Sequence, residues 1–190
     1  MPLEGLMDSL RLVVDALEHE GIVYAITGSV ASGIHGEPLV SLDVDVVARM
    51  TSNQAAGLAR RLGPRYYADV EMLRRAADDH SLANLYDQST GLKFDLSVPA
   101  ATAYHEQVFA RRVRVTDPED RLAFWVVAAE DVVLMKLVWR KDTRSQKQWE
   151  NALGVVRVQG HRLDWAYLRR WARELDVECD LDSLSREAGV

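Results

Sequence analysis

Two aspartates, Asp43 and Asp45, alternate with apolar residues in the run from residue 41 to residue 47. A period of two is typical of a β-strand with one polar face, so we expect both carboxylates on the same face, roughly 7 Å apart. Like charges in this position repel each other unless a cation lies between them. Carboxylate oxygens are the ligands that Mg²⁺ takes, together with water and substrate phosphates. The run therefore predicts a strand that carries part of a metal site.

A glycine–serine pair precedes this strand. Residues 22–27 form an apolar run typical of a buried strand, and the run ends at Gly28 and Ser29. A glycine at a strand-to-helix turn lets a ligand approach the backbone, and the first turn of the next helix presents free N–H groups to an anion. The pair therefore predicts a phosphate-binding turn. The alternative is an ordinary turn in which Ser29 caps the helix.

The composition is that of an ordinary globular chain, with 190 residues, of which 48% are apolar and 27% are charged. With a net charge of −6, the surface as a whole has no strong electrostatic attraction for nucleic acid. Arg111, Arg112 and Arg114 form a local basic group, which is either a contact for a nucleic-acid acceptor or a solvated strand edge. The single cysteine, Cys179, excludes an intrachain disulfide and a multi-cysteine zinc site.

The sequence carries no signal for membrane insertion or secretion. Its first residues lack a charged-then-apolar leader, and no apolar run approaches the roughly eighteen residues that cross a bilayer. We therefore expect a cytoplasmic protein without a membrane partner.

Strand and helix patterns alternate along the first two thirds of the chain. The predicted helices are 3–20, 29–34, 52–62, 70–79 and 103–110, and the predicted strands are 22–27, 41–47, 66–69, 84–87, 92–98, 112–116 and 121–127. Strands 84–87 and 92–98 are expected to pair antiparallel across a Ser-Thr-Gly turn. This order predicts the α/β (α+β) class, with a mixed β-sheet flanked by helices.

From Ala128 onward the pattern is helical. One helix of about three turns carries Lys136, a second carries Trp149, and a third follows an Asp164 cap. The apolar stripe of the third helix comprises Trp165, Leu168, Ala172 and Leu175. Tyr167 and Trp171 fall on a different face of this helix. They mark either a partner surface or packing on the tail. Because no linker interrupts the chain, we predict a single domain, 1–190, with a sheet core at about 20–127 and a packed helical extension at about 128–190.

A third carboxylate is expected if the first two bind metal for phosphoryl-type transfer. Asp95 is the candidate, because Phe94-Asp95-Leu96 repeats the apolar–acid–apolar pattern of the first strand. Such a residue can complete a metal shell and accept a proton from an attacking hydroxyl. The alternative is a surface acid on an edge strand.

Together, Gly28-Ser29, Asp43-Val44-Asp45 and Asp95 resemble the signature of the DNA polymerase β-like nucleotidyltransferase superfamily. The resemblance extends to its small, stand-alone bacterial branch, related to AbiEii-type toxins and minimal nucleotidyltransferase antitoxins. That branch carries His-Gly-x-Pro-Arg-x-Thr-x-Asp-x-Asp, and residues 35–45 here read His-Gly-Glu-Pro-Leu-Val-Ser-Leu-Asp-Val-Asp. Leu39 replaces the usual arginine of the branch, and Ser41 replaces its threonine.

The resemblance implies a nucleotidyltransferase fold and a metal-dependent enzyme that moves a nucleoside monophosphate from a nucleoside triphosphate (NTP), such as ATP, to a hydroxyl acceptor. By the same resemblance, the residues that bind Mg²⁺ or Mn²⁺ and act in catalysis are Asp43, Asp45 and Asp95. The residues that bind the NTP are Gly28, Ser29 and Lys136. The acceptor stays open between a protein, a tRNA and a small molecule.

Two alternatives accompany this interpretation. Lys136, on a segment at 129–137 that also resembles the branch, is either a phosphate ligand or a lysine whose stem is buried among apolar residues. The chain as a whole is either an enzyme or a catalytically weak nucleotidyltransferase-fold binding module that acts with a partner protein in a toxin–antitoxin pair. Leu39 favours the module, whereas three aspartates without a metal would be a standing cost to the fold. His35 is expected to be structural.

Overall fold

The computed structural model describes residues 3–39, 41, 43–117 and 122–190, with only the backbone for Leu3 and Glu4. Val40 and Leu42 of the predicted motif lie outside the described residues, as does Arg121 at the start of the last predicted strand.

The described ranges contain nine α-helices and seven strands. The helices are α1 (Leu3–His19), α2 (Gly28–His35), α3 (Ser52–Leu62), α4 (Val70–Asp79), α5 (Ala103–Arg111), α6 (Ala129–Thr143), α7 (Gln146–Gln159), α8 (Trp165–Glu174) and α9 (Glu178–Ala188). The strands are β1 (Val23–Ile26), β2 (Asp43–Arg49), β3 (Tyr66–Tyr67), β4 (Leu82–Asp87), β5 (Lys93–Ser97), β6 (Val113–Thr116) and β7 (Ala123–Val126). Within these ranges, no helix is both long enough and apolar enough to cross a bilayer.

The predicted elements are confirmed, with most bounds shifted by no more than two residues. Helix α6 is longer than the three turns predicted, and α9 has no predicted counterpart. Capping explains several sharp helix starts, because Thr51, Asp69 and Thr102 each accept a hydrogen bond from a backbone N–H in the first turn of the helix that follows.

The strands of the described residues form one sheet in the order β3-β4-β5-β2-β1-β7-β6. Strand β2 runs parallel to β5, and β1 runs parallel to β7, whereas the other neighbouring pairs are antiparallel. The antiparallel pairing predicted for 84–87 and 92–98 is confirmed by the register of β4 against β5. The predicted α/β class, with a mixed sheet and flanking helices, is therefore confirmed.

The chain divides into two compact units. The sheet unit comprises Met1–Ile26 and Leu42–Val126, and it contains every strand together with α1, α3, α4 and α5. Its core is apolar, and its fully buried side chains include Leu17, Ile26, Leu58, Leu73, Phe94 and Leu96. On β2, Val44 and Val46 are buried in this core, so the alternating residues of that strand face the other side of the sheet.

The helical unit comprises Thr27–Ser41 and Val127–Val190, so it contains α2 as well as α6 to α9. Helix α2 packs against α6 and α7. His35, in its last turn, is within 2.7 Å of the carbonyl oxygen of Val127, and Gln159 donates to the carbonyl oxygen of His35 at 2.6 Å. Burial lowers the pKa of His35, which favours a neutral ring that donates from Nε2. These contacts favour the structural role that is expected for His35.

The buried face of α8 differs from the predicted stripe. Leu168 and Ala172 are buried as expected, whereas the two ends of the stripe are only half-buried. Trp171 is buried, and the hydroxyl of Tyr167 donates to Asp131 Oδ1 on α6 at 2.8 Å. The interpretation of these two aromatic residues as a partner surface is therefore wrong, because the buried face is centred between positions 168 and 171.

Candidate functional site

Three carboxylates lie on one face of two adjacent parallel strands in the sheet unit. Asp43 and Asp45 are on β2, Asp95 is on β5, and Asp45 lies opposite Asp95 in the strand register. Paired residues on neighbouring strands point to the same face, while Val44 and Phe94 are buried on the opposite face. Asp43 is exposed, and the other two carboxylates are half-buried. The structure thus places on one sheet face the three acids that the sequence singled out.

Strand β5 lies between β4 and β2, so Asp95 is in the interior of the sheet. The alternative that Asp95 is a surface acid on an edge strand is therefore wrong. The sequence alone did not exclude an edge strand, because the order of strands in a sheet is not encoded in the local pattern of a single strand.

Two neighbouring side chains hold Asp95. Lys93 Nζ lies 2.8 Å from Asp95 Oδ2, and Asn84 on β4 donates its side-chain N–H to Asp95 Oδ1. The hydrogen bond to Asp95 raises the pKa of Lys93 above its ordinary value, and the charges of Asp95 and Asp43 act in the same direction. Lys93 also lies opposite Asp43 in the register of β2 against β5. A positive charge is therefore part of the acidic face.

Lys93 and Asn84 are the residues of this face that sequence reasoning missed. A signal for Lys93 was present, because it precedes Asp95 by two residues and must share its face. Asn84 required the register of β4 against β5, in which it lies opposite Asp95. That register follows from the length of the connecting turn.

Among the described residues, no group of three or more His, Cys, Asp or Glu side chains is arranged to hold a metal ion. The three carboxylates therefore share a face without forming a ready metal-binding group, and Asp95 is directed to Lys93 and Asn84. The donor chemistry does fit Mg²⁺ or Mn²⁺, since all three groups are hard oxygen ligands on one face of adjacent strands. A metal ion that used Asp95 Oδ2 would take the place of Lys93.

Gly28 and Ser29 lie at the start of α2, in the helical unit. Gly28 has φ of +64°, a left-handed conformation that favours glycine, and Ser29 is buried. The N-cap residue is Thr27, which makes no side-chain capping bond and instead donates to Met135 Sδ on α6 at 3.3 Å. The interpretation of Ser29 as the N-cap is therefore wrong, because the helix begins at Gly28 and its N-cap position falls on Thr27.

Lys136 is on α6 in the same unit and is only 2% exposed. Its Nζ lies 5.2 Å from the centre of the Trp139 ring, a cation–π contact. This environment favours the alternative in which Lys136 is a lysine with its stem buried among apolar residues. The phosphate-binding roles of Gly28, Ser29 and Lys136 stay predictions.

The basic group near the end of the sheet is engaged with neighbouring side chains. Arg112 and Arg114 stack on the ring of Trp125, at 4.5 Å and 5.3 Å from its centre, and Arg114 also pairs with Glu18 at 2.6 Å. Strand β6, which carries Arg114, is the last strand of the sheet order. These contacts favour a solvated strand edge over a contact for nucleic acid.

No family model matches the sequence, and no curated protein matches it either. Among solved structures, an antigenic nucleotidyltransferase-like protein from Paracoccidioides brasiliensis is similar, with 16% identity and a TM-score of 0.45 over 94% of this chain and 93% of that chain. A CCA-adding enzyme in complex with ATP has 14% identity and a TM-score of 0.39, over 92% of this chain and 52% of that chain. The Thermotoga maritima CCA-adding enzyme in complex with tRNA has 13% identity and a TM-score of 0.39, over 91% and 51%. The chain spans about half the length of these two CCA-adding enzymes.

Proposed function

We propose that this chain has a nucleotidyltransferase fold and is a metal-dependent enzyme that transfers a nucleoside monophosphate from an NTP to a hydroxyl acceptor. The observation that carries the proposal is the register of β2 against β5, in which Asp45 lies opposite Asp95 and Asp43 shares their face. Two carboxylates on one strand and a third on its neighbour are the oxygen ligands that metal-assisted phosphoryl-type transfer requires. The signature at residues 35–45 and the preceding Gly28-Ser29 pair support the same function.

The proposed roles follow from the positions of the acids. Asp43, Asp45 and Asp95 would hold Mg²⁺ or Mn²⁺, which would supply charge stabilisation for the triphosphate and the departing pyrophosphate. The acceptor oxygen forms a bond to the α-phosphorus while the bond from that phosphorus to the β-phosphate oxygen breaks. Asp95 accepts the proton that the acceptor hydroxyl loses. Asn84 keeps the carboxylate of Asp95 in place by its hydrogen bond.

The contacts to the NTP are a separate part of the proposal. The backbone N–H groups at Gly28 and the hydroxyl of Ser29 bind phosphate oxygens, with Lys136 as a further contact. The acceptor is a hydroxyl on a protein, a tRNA or a small molecule, and identification of the labelled product distinguishes these three.

The test is transfer of label from the four NTPs. The purified protein is incubated with Mg²⁺ or Mn²⁺, a cell extract and each NTP labelled at the α-phosphorus. We expect one acceptor to become labelled, and we expect no label from the same NTP labelled at the γ-phosphorus, since that group leaves with pyrophosphate. Asp43→Ala and Asp95→Ala should each abolish labelling, because each removes charge stabilisation in the transition state. Ser29→Ala should weaken it less, because backbone donors remain.

A matched control is available in the same unit. Glu71 is an exposed acid on α4 that pairs with Arg74 at 2.9 Å and belongs to neither β2 nor β5, so Glu71→Ala should retain full labelling. If the wild-type protein labels no acceptor with any NTP, the proposal that the chain is an enzyme is rejected.

One observation favours the binding module as a second candidate. The argument against the module was that three acids without a metal would destabilise the fold. Lys93 weakens this argument, because it supplies a cation to the same face at 2.8 Å from Asp95. In that case the role of the chain would be to bind a partner protein of a toxin–antitoxin pair. A variant with Asp43, Asp45 and Asp95 all replaced by alanine would then keep any growth effect in a host cell. Loss of the effect in that variant would reject the module.

A further inference from the structure

We propose that Lys93 is an internal counter-cation that competes with divalent metal for the carboxylates of β2 and β5. The inference rests on the proposed function, because it concerns the same carboxylates. It adds a residue that sets the metal concentration at which the carboxylates bind metal. The motif residues do not have this role.

The position of Lys93 carries the inference. It is on β5, two residues before Asp95 and opposite Asp43, so it shares the face of all three acids. Its Nζ contacts Asp95 Oδ2 at 2.8 Å, and it interacts electrostatically with Asp43 as well. One ammonium group therefore neutralises part of the charge on both strands.

The contact between Lys93 and Asp95 is one that a metal ion can displace. The side chains are 30% and 17% exposed, so the ammonium group can move into solvent without crossing the core. Partly exposed ion pairs of lysine are weak, because solvent screens them and the long side chain loses freedom in them. A divalent ion carries twice the charge and binds carboxylate oxygens directly.

Competition of this kind lowers the affinity of the acids for metal. Each metal ion that binds through Asp95 Oδ2 must first break the contact with Lys93, and it then meets the positive charge of Lys93 nearby. Asn84 has no such effect, because it is a neutral donor to the other oxygen of Asp95. The chain therefore responds to metal at a higher concentration than three unopposed carboxylates would.

The test is the affinity of the full-length protein for Mn²⁺, measured by titration calorimetry and by the loss of the free Mn²⁺ signal in electron paramagnetic resonance. Lys93→Gln and Lys93→Met remove the charge, and we expect both to bind Mn²⁺ about fivefold more tightly than the wild type. Lys93→Arg keeps the charge and should bind as the wild type does. The matched control is Lys141→Gln, which removes a lysine that pairs with Asp176 at 2.6 Å, and it should not change the affinity.

A gain of affinity is not produced by a damaged fold, so the expected result separates competition from a structural role. If Lys93→Gln and Lys93→Met bind Mn²⁺ as tightly as the wild type or more weakly, the inference is overturned. The metal site itself survives that result as long as Asp45→Asn abolishes binding in every background. If no variant and no wild-type sample binds Mn²⁺, both the inference and the proposed metal-dependent function are overturned.

Discussion

Asp45 on β2 lies directly opposite Asp95 on β5 in a parallel strand pair. Neighbouring strands are about 4.8 Å apart, so two carboxylates in this relationship are within reach of one cation. The side chain of Lys93 lies on the same face, with its Nζ 2.8 Å from Asp95 Oδ2. The acidic face therefore combines the ligands of a metal site with a residue that opposes metal binding.

Metal should stabilise the folded protein. We expect millimolar Mg²⁺ or Mn²⁺ to raise the melting temperature, because an ion that binds only the folded state adds about 2.7 kcal/mol at a hundredfold excess over its Kd. Asp45→Asn should abolish this response, since it removes a ligand and its charge. Differential scanning calorimetry with and without NTP measures the effect. The same melting temperature for the wild type in all of these conditions would argue against a competent metal site.

The buried carboxylate of Asp87 should make the fold sensitive to acid. Asp87 is fully buried at the end of β4 and accepts hydrogen bonds from Arg65 at 2.7 Å and Ser9 at 2.5 Å. Burial alone would raise the pKa of Asp87, but the hydrogen bonds from Arg65, Ser89 and Ser9 hold it well below its usual range. The unfolded chain therefore takes up a proton near pH 4 that the folded chain does not. The stabilisation is complete above that pH and is lost as the pH falls below it.

Replacement of Asp87 tests this linkage. We expect Asp87→Asn to lower the free energy of unfolding at pH 7 by about 1 to 3 kcal/mol, because it removes the buried, charged acceptor of the hydrogen bonds from Arg65 and Ser9. The dependence of stability on pH between 3 and 5 should also become flatter, as urea denaturation would show. The control is Asp8→Asn, which removes the outer, 56% exposed partner of Arg65 and should cost less than about 1 kcal/mol. If the stability of Asp87→Asn depended on pH as that of the wild type does, Asp87 would not be the source of the acid sensitivity.

Gly36 should be intolerant of any side chain. A Cβ atom there would lie 2.7 Å from the backbone nitrogen of Val155 and 2.8 Å from the carbonyl carbon of Gly154, so α7 would have to move. We expect Gly36→Ala to destabilise the protein by about 2 to 3 kcal/mol in thermal or urea unfolding.

Gly154 provides the matched comparison. The nearest neighbours of an added Cβ there are side-chain atoms of Glu37, the first at 3.4 Å, and the residue lies inside helix α7. Alanine has the higher helix propensity, so Gly154→Ala should be neutral or stabilising by up to about 1 kcal/mol. Equal losses of stability in Gly36→Ala and Gly154→Ala would show that the close approach of α7 is not what makes Gly36 intolerant of a side chain.

The C-terminal helices should be required for a folded product. Helix α2 packs against α6 and α7, so a chain that ends at Ala128 leaves α2 without its partners. We expect the fragment 1–128 to be insoluble, or to lose near-ultraviolet circular dichroism while retaining helical signal. A fragment with sharp, dispersed amide resonances would show instead that the tail folds as a separate module, contrary to the predicted single domain.

Much of the fold could be predicted from local patterns. The shared face of Asp43 and Asp45 follows from the period of two in their strand, and the bounds of most helices follow from apolar spacing and capping residues. The resemblance of residues 35–45 to a known signature indicates the same strand. These features need only residues close together in the chain, and the structure confirms them at the level of secondary structure.

The arrangement of the site was decided by contacts between distant residues. The pairing of β2 with β5, the hydrogen bond from Asn84 to Asp95 and the packing of α2 with the C-terminal helices each depend on which elements become neighbours. The same holds for the burial of Trp171, which depends on how α8 is rotated against its neighbours. Local periodicity states which face of an element is apolar, but it does not state what that face will contact. The sequence by itself therefore determined the elements and the acidic strand face, and only the tertiary structure placed Lys93 and Asn84 on Asp95, because that contact depends on strand order and register.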